Sequence, residues 1–467
     1  MPSAKAGIIP RLTTTCLFPL PIGDHLNPPA PAASSPSIVR PSACPGLLRV
    51  VRARDGGLCR VKLPGGVLMA DQADVVALAA ERFGSGVIEA TNRGNLQIRG
   101  LGAEATGFAE GLLAAGLGPR VAAADDVRNL MLSPAAGIDP QQLFDTRELA
   151  ARILDSLEDR PRLHQLSAKF AVQLDGGEGL AMLAHHHDVW LSPLRQEGQL
   201  WLAVGLAGSP ADGSRLAVAP EDGHAVVMAL LEGFLDRATA EQGRMREVLA
   251  AHGLDSEHGL RALLQGRGIA LREVLFERPV ALAEPLGLHA QAQPGRVYVG
   301  AGAPLGRLDP AMLRDAAELA RRFGDGSLRF TPWQGLLLPG IAAVDGSAVA
   351  AGLAAAGWLV DPAQPLAQLL ACTGSAGCAK GLADTKADAL RLSGLLTTAR
   401  PVHLSGCPRS CAAAHVAPVT LLAVGEGRYD LYLRDATQQG FGTLRARHLS
   451  LDAAAVLLGR SRSDTDD

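Results

Sequence analysis

Glu81-Arg82-Phe83-Gly84-Ser85-Gly86 returns 240 residues later as Arg321-Arg322-Phe323-Gly324-Asp325-Gly326. The match runs without a gap from 78–101 onto 318–341, and eight of the 24 pairs are identical, among them Ala80/Ala320, Thr91/Thr331, Leu96/Leu336 and Gly100/Gly340. Both copies read in the same order: helix, Phe-Gly turn, strand. Residues 73–83 and 310–323 place apolar side chains at helical spacing. The Gly-x-Gly that follows each supplies a C-cap and a tight turn. Residues 87–98 and 328–338 alternate enough to predict one strand each, with further strands upstream at 58–63 and 296–300. An internal repeat of a β–α–β unit, close to half of a ferredoxin-like layer, predicts two halves pairing into one pseudo-symmetric domain.

The duplication extends further. Leu132-Ser133-Pro134-Ala135-Ala136-Gly137 falls on Cys372-Thr373-Gly374-Ser375-Ala376-Gly377, and Leu166-Ser167-Ala168-Lys169 resembles Leu404-Ser405-Gly406-Cys407 at an offset of 238. A second, α/β module is therefore also present twice, and only its C-terminal copy has the cysteines. The expected fold is α+β. It comprises a Pro- and Ala-rich disordered leader (1–40), a first ferredoxin-like half (41–115), a first α/β module with a helical linker (116–270), a second ferredoxin-like half (271–345) and a cluster-binding α/β module (346–460). Within the linker, residues 221–250 read as helical. The tail 460–467 is polar.

Composition narrows the function. Net charge is −3 and the isoelectric point near 6.5, which disfavours a general nucleic-acid binder. Mean hydropathy is +0.15, and no run approaches the roughly 18–20 apolar residues of a membrane helix, so no membrane partner is expected. The basic residues are 39 Arg and five Lys, 44 together. In that background, a retained Lys marks a place where Arg does not substitute.

Seven cysteines, an odd number with four gathered late, do not form a secreted disulfide framework and point to a reduced, cytoplasmic compartment. Cys372, Cys378, Cys407 and Cys411 are spaced C-x5-C-x28-C-x3-C. Four thiolates are what a [4Fe-4S] cubane requires. Pro408 suits the start of a helical turn that would put Cys407 and Cys411 on one side. Gly374, Gly377, Gly381 and Gly406 admit close backbone approach. Structural zinc is the rival, although its pairs are usually spaced C-x2-C to C-x4-C. Plain buried thiols are the other reading. Cys44 and Cys59 stand alone and read as structural, and Cys16 lies in the leader.

With these motifs the sequence resembles the nitrite/sulfite reductase superfamily. Cys-Thr-Gly-Ser-Ala-Gly-Cys, Ser-Gly-Cys-Pro-Arg-Ser-Cys and the two ferredoxin-like halves carry the resemblance over about residues 40–460. Within the superfamily it is most similar to the precorrin-3B synthase family. That similarity rests on Ser42-Ala43-Cys44-Pro45-Gly46-Leu47-Leu48, Gly65-Gly66, Asp126-Val127-Arg128-Asn129, Ser133-Pro134, Lys169-Phe170, Asp175-Gly176-Gly177 and Val402-His403-Leu404-Ser405-Gly406-Cys407. The resemblance implies that Cys411 occupies the position whose thiolate bridges to sirohaem iron in the reductases. It also implies that Arg93, Arg128 and Lys169 bind an anion or a tetrapyrrole, and that Lys169 is catalytic. Two departures stand out. A second lysine common in the reductases is replaced by Ala171, and related synthases often read Gly-Cys-Ala-Lys-Gly-Cys where this chain has Gly406-Cys407-Pro408-Arg409-Ser410-Cys411.

The implied reaction is the O2-dependent conversion of precorrin-3A to precorrin-3B, by C20 hydroxylation and lactone formation, in cobalamin biosynthesis. It calls for the [4Fe-4S] cluster, an additional non-haem iron, and electrons from an external NADH-dependent donor, since no G-x-G-x-x-G context is present. The ligands of that iron stay open. His186 and Asp188 in His185-His186-His187-Asp188 would share a strand face, although a polar strand edge before Val189 explains them as well, and His403 and His415 are further candidates. One alternative is a sirohaem-dependent sulfite or nitrite reductase. Another is a non-catalytic cluster-containing tetrapyrrole or electron carrier.

Overall fold

The computed structural model describes residues 44–102, 107–252, 257–279, 284–413, 417–435, 438 and 440–459. The leader, Cys16, His415 and the tail lie outside them.

The repeat builds two five-stranded sheets that exchange edge strands. In the first, Val51–Ala53, Gly56–Val61, Leu96–Leu101 and Ile88–Ala90 are completed by Arg307–Leu308 from the second half, with Arg307 opposite Glu89. In the second, Gly287–Ala290, Arg296–Gly302, Gly335–Ala342 and Ser327–Phe330 are completed by Val67–Met69 from the first half, with Met69 opposite Ser327. The helices Ala70–Phe83 and Pro310–Phe323 pack on each other, and one continuous core spans both halves, from Val61 and Ile98 to Leu328 and Leu338. The two halves are one domain.

Each segment expected as a single strand is in fact a hairpin. Ile88–Ala90 pairs antiparallel with Leu96–Leu101 around the turn 91–95, and Ser327–Phe330 pairs with Gly335–Ala342 around 331–334. Alternation is only partial, and the polar run Thr91-Asn92-Arg93-Gly94-Asn95 and Pro332 interrupt it at the two turns. The signature of the turn is one left-handed residue in each copy, Gly94 at φ +67° and Gln334 at φ +61°, again 240 residues apart. Gly65 (φ +63°) and Leu305 (φ +53°) form a second such pair. Next to Gly65, a Cβ on Gly66 would lie 2.0 Å from the Phe330 carbonyl oxygen. Only glycine allows that approach.

The two α/β modules share a topology. Leu130–Leu132, Val172–Leu174 and His187–Gln196 run parallel, and Gln199–Gly208, Ser214–Val218 and Arg272–Phe276 continue antiparallel. In the C-terminal copy Leu369–Ala371, Val402–Ser405 and Val419–Gly425 are parallel, followed by antiparallel Arg428–Leu433 and Thr443–Leu449. Each sheet has its own core. Register corrects the second repeat. Ala371 pairs with Leu404 and Leu132 with Leu174. Cys372 therefore takes the place of Ser133, and Ser405 that of Asp175 rather than Ser167. The helical linker also departs from one long helix. Gly223–Arg237 stops before Thr239, whose amide donates to Gln242 Oε1, and Met245–His252 starts afresh.

In the cysteine-free copy the corresponding loops are filled by buried acids. Asp175 accepts from the Ser192 hydroxyl and pairs with Arg278 Nε at 2.7 Å, while Glu178 Oε2 accepts from the Gly176 amide at 2.7 Å. Burial, reinforced by neighbouring Asp175, pushes the Glu178 carboxyl up to about 8. An unfolded Glu titrates near 4.3. Between these values the folded protein keeps a proton that the unfolded chain has released, so stability falls as pH rises through that window. Thermal melts from pH 5 to pH 8 are expected to show that decline in the wild type and a flatter profile in Glu178→Gln, which keeps the Gly176 contact. Identical slopes would exclude Glu178 as its source.

Candidate functional site

The four motif cysteines come from the ends of two adjacent parallel strands. Cys372 and Cys378 bracket the loop after Leu369–Ala371, and Cys407 and Cys411 the loop after Val402–Ser405. All four line one cavity of about 900 Å³, near the upper end of ordinary ligand sites. They are free thiols. Burial raises the Cys411 thiol, and Cys407, Cys372 and Cys378 each push it further in the same direction.

Glycines shape the cradle. A Cβ on Gly374 would lie 2.6 Å from the Thr385 nitrogen, and one on Gly381 2.6 Å from the Gly374 carbonyl carbon. A Cβ on Gly406 would lie 3.4 Å from Cys372 Sγ, and the Gly406 amide donates to that sulfur at 3.2 Å. Backbone amides aimed at thiolate sulfur suit an iron–sulfur site. Residues 407–411 are not the helical turn expected from Pro408. Ser410 adopts φ +51°, and its amide only approaches the Cys407 carbonyl, at 3.5 Å. Among the described residues no three His, Cys, Asp or Glu side chains gather as a single metal ion requires. Four thiols around one cavity are the donor set that a [4Fe-4S] cubane requires.

The opposite wall belongs to the first half-domain. Arg52, Arg54 and Arg60 line the cavity with Arg99, Lys380, Lys386 and Arg409, against Glu89 as the one acidic residue among the described lining. Arg54 donates from its amide to the Gly377 carbonyl at 3.2 Å and from Nη1 to Ser375 O at 3.1 Å. Asn92 Nδ2 reaches the Cys411 carbonyl at 3.4 Å. A cavity with this excess of cations suits a ligand with several carboxylates. Arg52, Arg54, Arg60 and Arg99 carry no motif of their own. Arg52 lies on Val51–Ala53, Arg54 just beyond it and Arg60 on Gly56–Val61, and only Arg99, on Leu96–Leu101, sits on a strand flanking the Thr91–Asn95 turn.

That turn separates the large cavity from a narrow cleft lined by Arg93, Asn95, Arg128, Asn129, Ala171 and His187. Arg93 and Arg128 are therefore brought together, and Ala171 lines the same cleft. Burial, together with Arg244 and Arg60, pulls the Arg93 guanidinium down to about 10. Arg128 is committed to Glu158 at 2.9 Å. His187 is fully buried, which lowers its pKa well below the usual range, with Arg93 adding to the effect. Lys169 lies elsewhere: it is exposed and lines neither space.

The His186–Asp188 pairing is not formed. Asp188 is buried and holds Arg244 Nε through both oxygens at 3.0 Å, with the Ala171 and Met245 amides at 2.9 and 2.8 Å. His186 is 68 % exposed and faces Asp212 at 3.8 Å. Asp188 is thus engaged by Arg244 and two backbone amides and does not converge with His186. His403 is fully buried within its strand. Cys59 is buried, which raises its thiol, as befits a structural cysteine.

Comparison with known proteins defines the family and the fold. The nitrite/sulfite reductase ferredoxin-like half domain matches residues 51–114 and 289–356, and the nitrite and sulphite reductase 4Fe-4S domain matches residues 123–257, the cysteine-free module. A precorrin-3B synthase of Sinorhizobium is 31% identical over 96% of this chain and 93% of its own length. Ferredoxin–nitrite reductases of Synechococcus elongatus and Zea mays are 31% and 30% identical over 78% of this chain, covering 76% and 68% of theirs. The structure of Mycobacterium tuberculosis NirA aligns over 86% of this chain and 80% of its own with a TM-score of 0.71 at 21% identity, and so shares the fold. The chain belongs to the nitrite/sulfite reductase superfamily, a family of oxidoreductases with an iron–sulfur domain.

Iron and acid-labile sulfide assays on protein purified without air are expected to find about four sulfides per chain. Cys372→Ser or Cys407→Ser is expected to remove most of them, and Cys59→Ser to leave them in place. Zinc without sulfide would reject the cubane.

Proposed function

We propose that this chain is a cytoplasmic monooxygenase of cobalamin biosynthesis that converts precorrin-3A to precorrin-3B, with a [4Fe-4S] cluster on Cys372, Cys378, Cys407 and Cys411. The observation that carries this reading is the cation-rich cavity of about 900 Å³ with the four thiols on one wall. Similarity to a precorrin-3B synthase along 93% of that protein supports it, against 76% and 68% for the two nitrite reductases.

In the reaction one oxygen atom of O2 enters at C20 and the ring A acetate closes a lactone. The other atom leaves as water with two electrons and two protons. A bound cluster supplies electrons singly. The chain's own residues dock and orient the macrocycle: Arg52, Arg54 and Arg60 offer guanidinium forks to its carboxylates, and Asn92 and Gln97 offer amides. The reading includes an additional non-haem iron and an external NADH-dependent donor. Neither nucleic acid nor membrane enters as a partner, and no helix among the described residues is long and apolar enough to cross a bilayer.

A sirohaem-dependent nitrite or sulfite reductase is the second reading, favoured by the Arg93–Arg128 cleft. Ala171, which lines that cleft where the reductases often have a lysine, weighs against it. Incubation of reduced protein with precorrin-3A under 18O2 is expected to yield product carrying one labelled oxygen. A red sirohaem spectrum together with nitrite or sulfite reduction, and no labelled corrinoid, would decide for the reductase. Lys169→Met is expected to leave turnover within about twofold, because its side chain is exposed and lines neither space; a loss of 100-fold, about 2.7 kcal/mol, would return it to the mechanism.

A further inference from the structure

Beneath the Cys372–Cys378 loop, Glu89 is buried at 7% exposure. Three cations from three parts of the chain surround it: Arg99 of the first half-domain at 3.2 Å, Arg307 of the second at 3.0 Å and Lys386 of the cysteine module at 3.8 Å. The Thr373 hydroxyl approaches the same carboxylate at 3.3 Å. Lys386 Nζ also donates to the Leu305 carbonyl at 2.5 Å and the Ala371 carbonyl at 3.2 Å. Arg99, held by Asp55 at 2.7 and 2.9 Å, donates to Gly377 O at 3.3 Å. The network thus touches both neighbours of Cys372 and the neighbour of Cys378, without touching a cysteine.

Such a cluster of ionised groups is costly to bury. Fastening a loop needs only neutral hydrogen bonds, so the charges call for another account. Unscreened charges act over longer distances than solvated ones, and the potentials of iron–sulfur clusters follow nearby charge and solvent exposure. Reduction adds one negative charge to a cluster. A fixed cation nearby favours that state and a fixed anion opposes it.

We propose that Glu89 and Lys386 are opposed positioning residues that set the reduction potential of the cluster, Lys386 raising it and Glu89 lowering it. This rests on the four-cysteine ligand set proposed above. The test is a potentiometric titration, followed by electron paramagnetic resonance, of the full-length, cluster-loaded protein. Glu89→Gln is expected to shift the potential upward and Lys386→Met downward. Each should change the reduced-to-oxidised ratio at fixed potential by about tenfold, which is about 59 mV for one electron. The double variant should return towards the wild type. Arg307→Gln, at a side chain 36% exposed, is the gentler variant should the buried ones lose the cluster, and it should move as Lys386→Met does but less. Unchanged potentials at full iron and sulfide content, or shifts of the same sign for Glu89→Gln and Lys386→Met, would overturn the proposal. Wild-type protein without labile sulfide would instead overturn the ligand set, a failure read before any variant is made.

Discussion

The strand Ser327–Phe330 has an edge that its own half of the repeat does not cover, and Val67–Met69 from the other half covers it; Ile88–Ala90 and Arg307–Leu308 do the same in return. Open edges invite pairing with foreign strands. Here the reciprocal exchange satisfies them within the chain. It also removes independence: neither sheet is complete alone, and the two helices between them share one core. The first half-domain is thereby fixed against the cysteine module, so that Arg54 and Arg99 meet the Gly377 carbonyl and the cavity acquires two walls of different origin.

Lysine usage follows the same junctions. In an arginine-rich chain, Lys62 and Lys386 are buried, and each bridges two carbonyls: Asp125 and Asp126 at 2.6 and 2.7 Å, and Leu305 and Ala371 at 2.5 and 3.2 Å. A compact ammonium fits between two converging carbonyls where a planar fork does not. Lys62 holds the segment leading to Arg128 and Asn129. Lys386 holds Leu305, the residue in the left-handed conformation that its twin position fills with Gly65.

The two α/β modules show how one backbone supports two interiors. After equivalent parallel strands, one copy presents Cys372, Cys378, Cys407 and Cys411 to a cavity. The other closes the space with Asp175, Glu178 and Arg278 and the apolar contacts of Ala135, Ile138, Leu180 and Tyr298. In the filled copy the Ser192 hydroxyl and Arg278 satisfy Asp175 from within the module.

The sequence by itself determined the duplication, the helices at 73–83 and 310–323, the two-half domain and the motif cysteines, because these depend on local periodicity and spacing. The hairpin turns lay in the polar run Thr91–Asn95 and at Pro332, which reading each segment as one strand passed over, and the true register of the second repeat emerged only from the strand pairing. The cavity's arginines were equally hidden: Arg52, Arg54, Arg60 and Arg99 become a set only when strands from the first half face loops some 300 residues further along the chain. For His186 and Asp188, tertiary structure decided against a local reading. Arg244, 56 residues from Asp188, takes both its oxygens, and a buried carboxylate answers to whichever cation the fold brings to it.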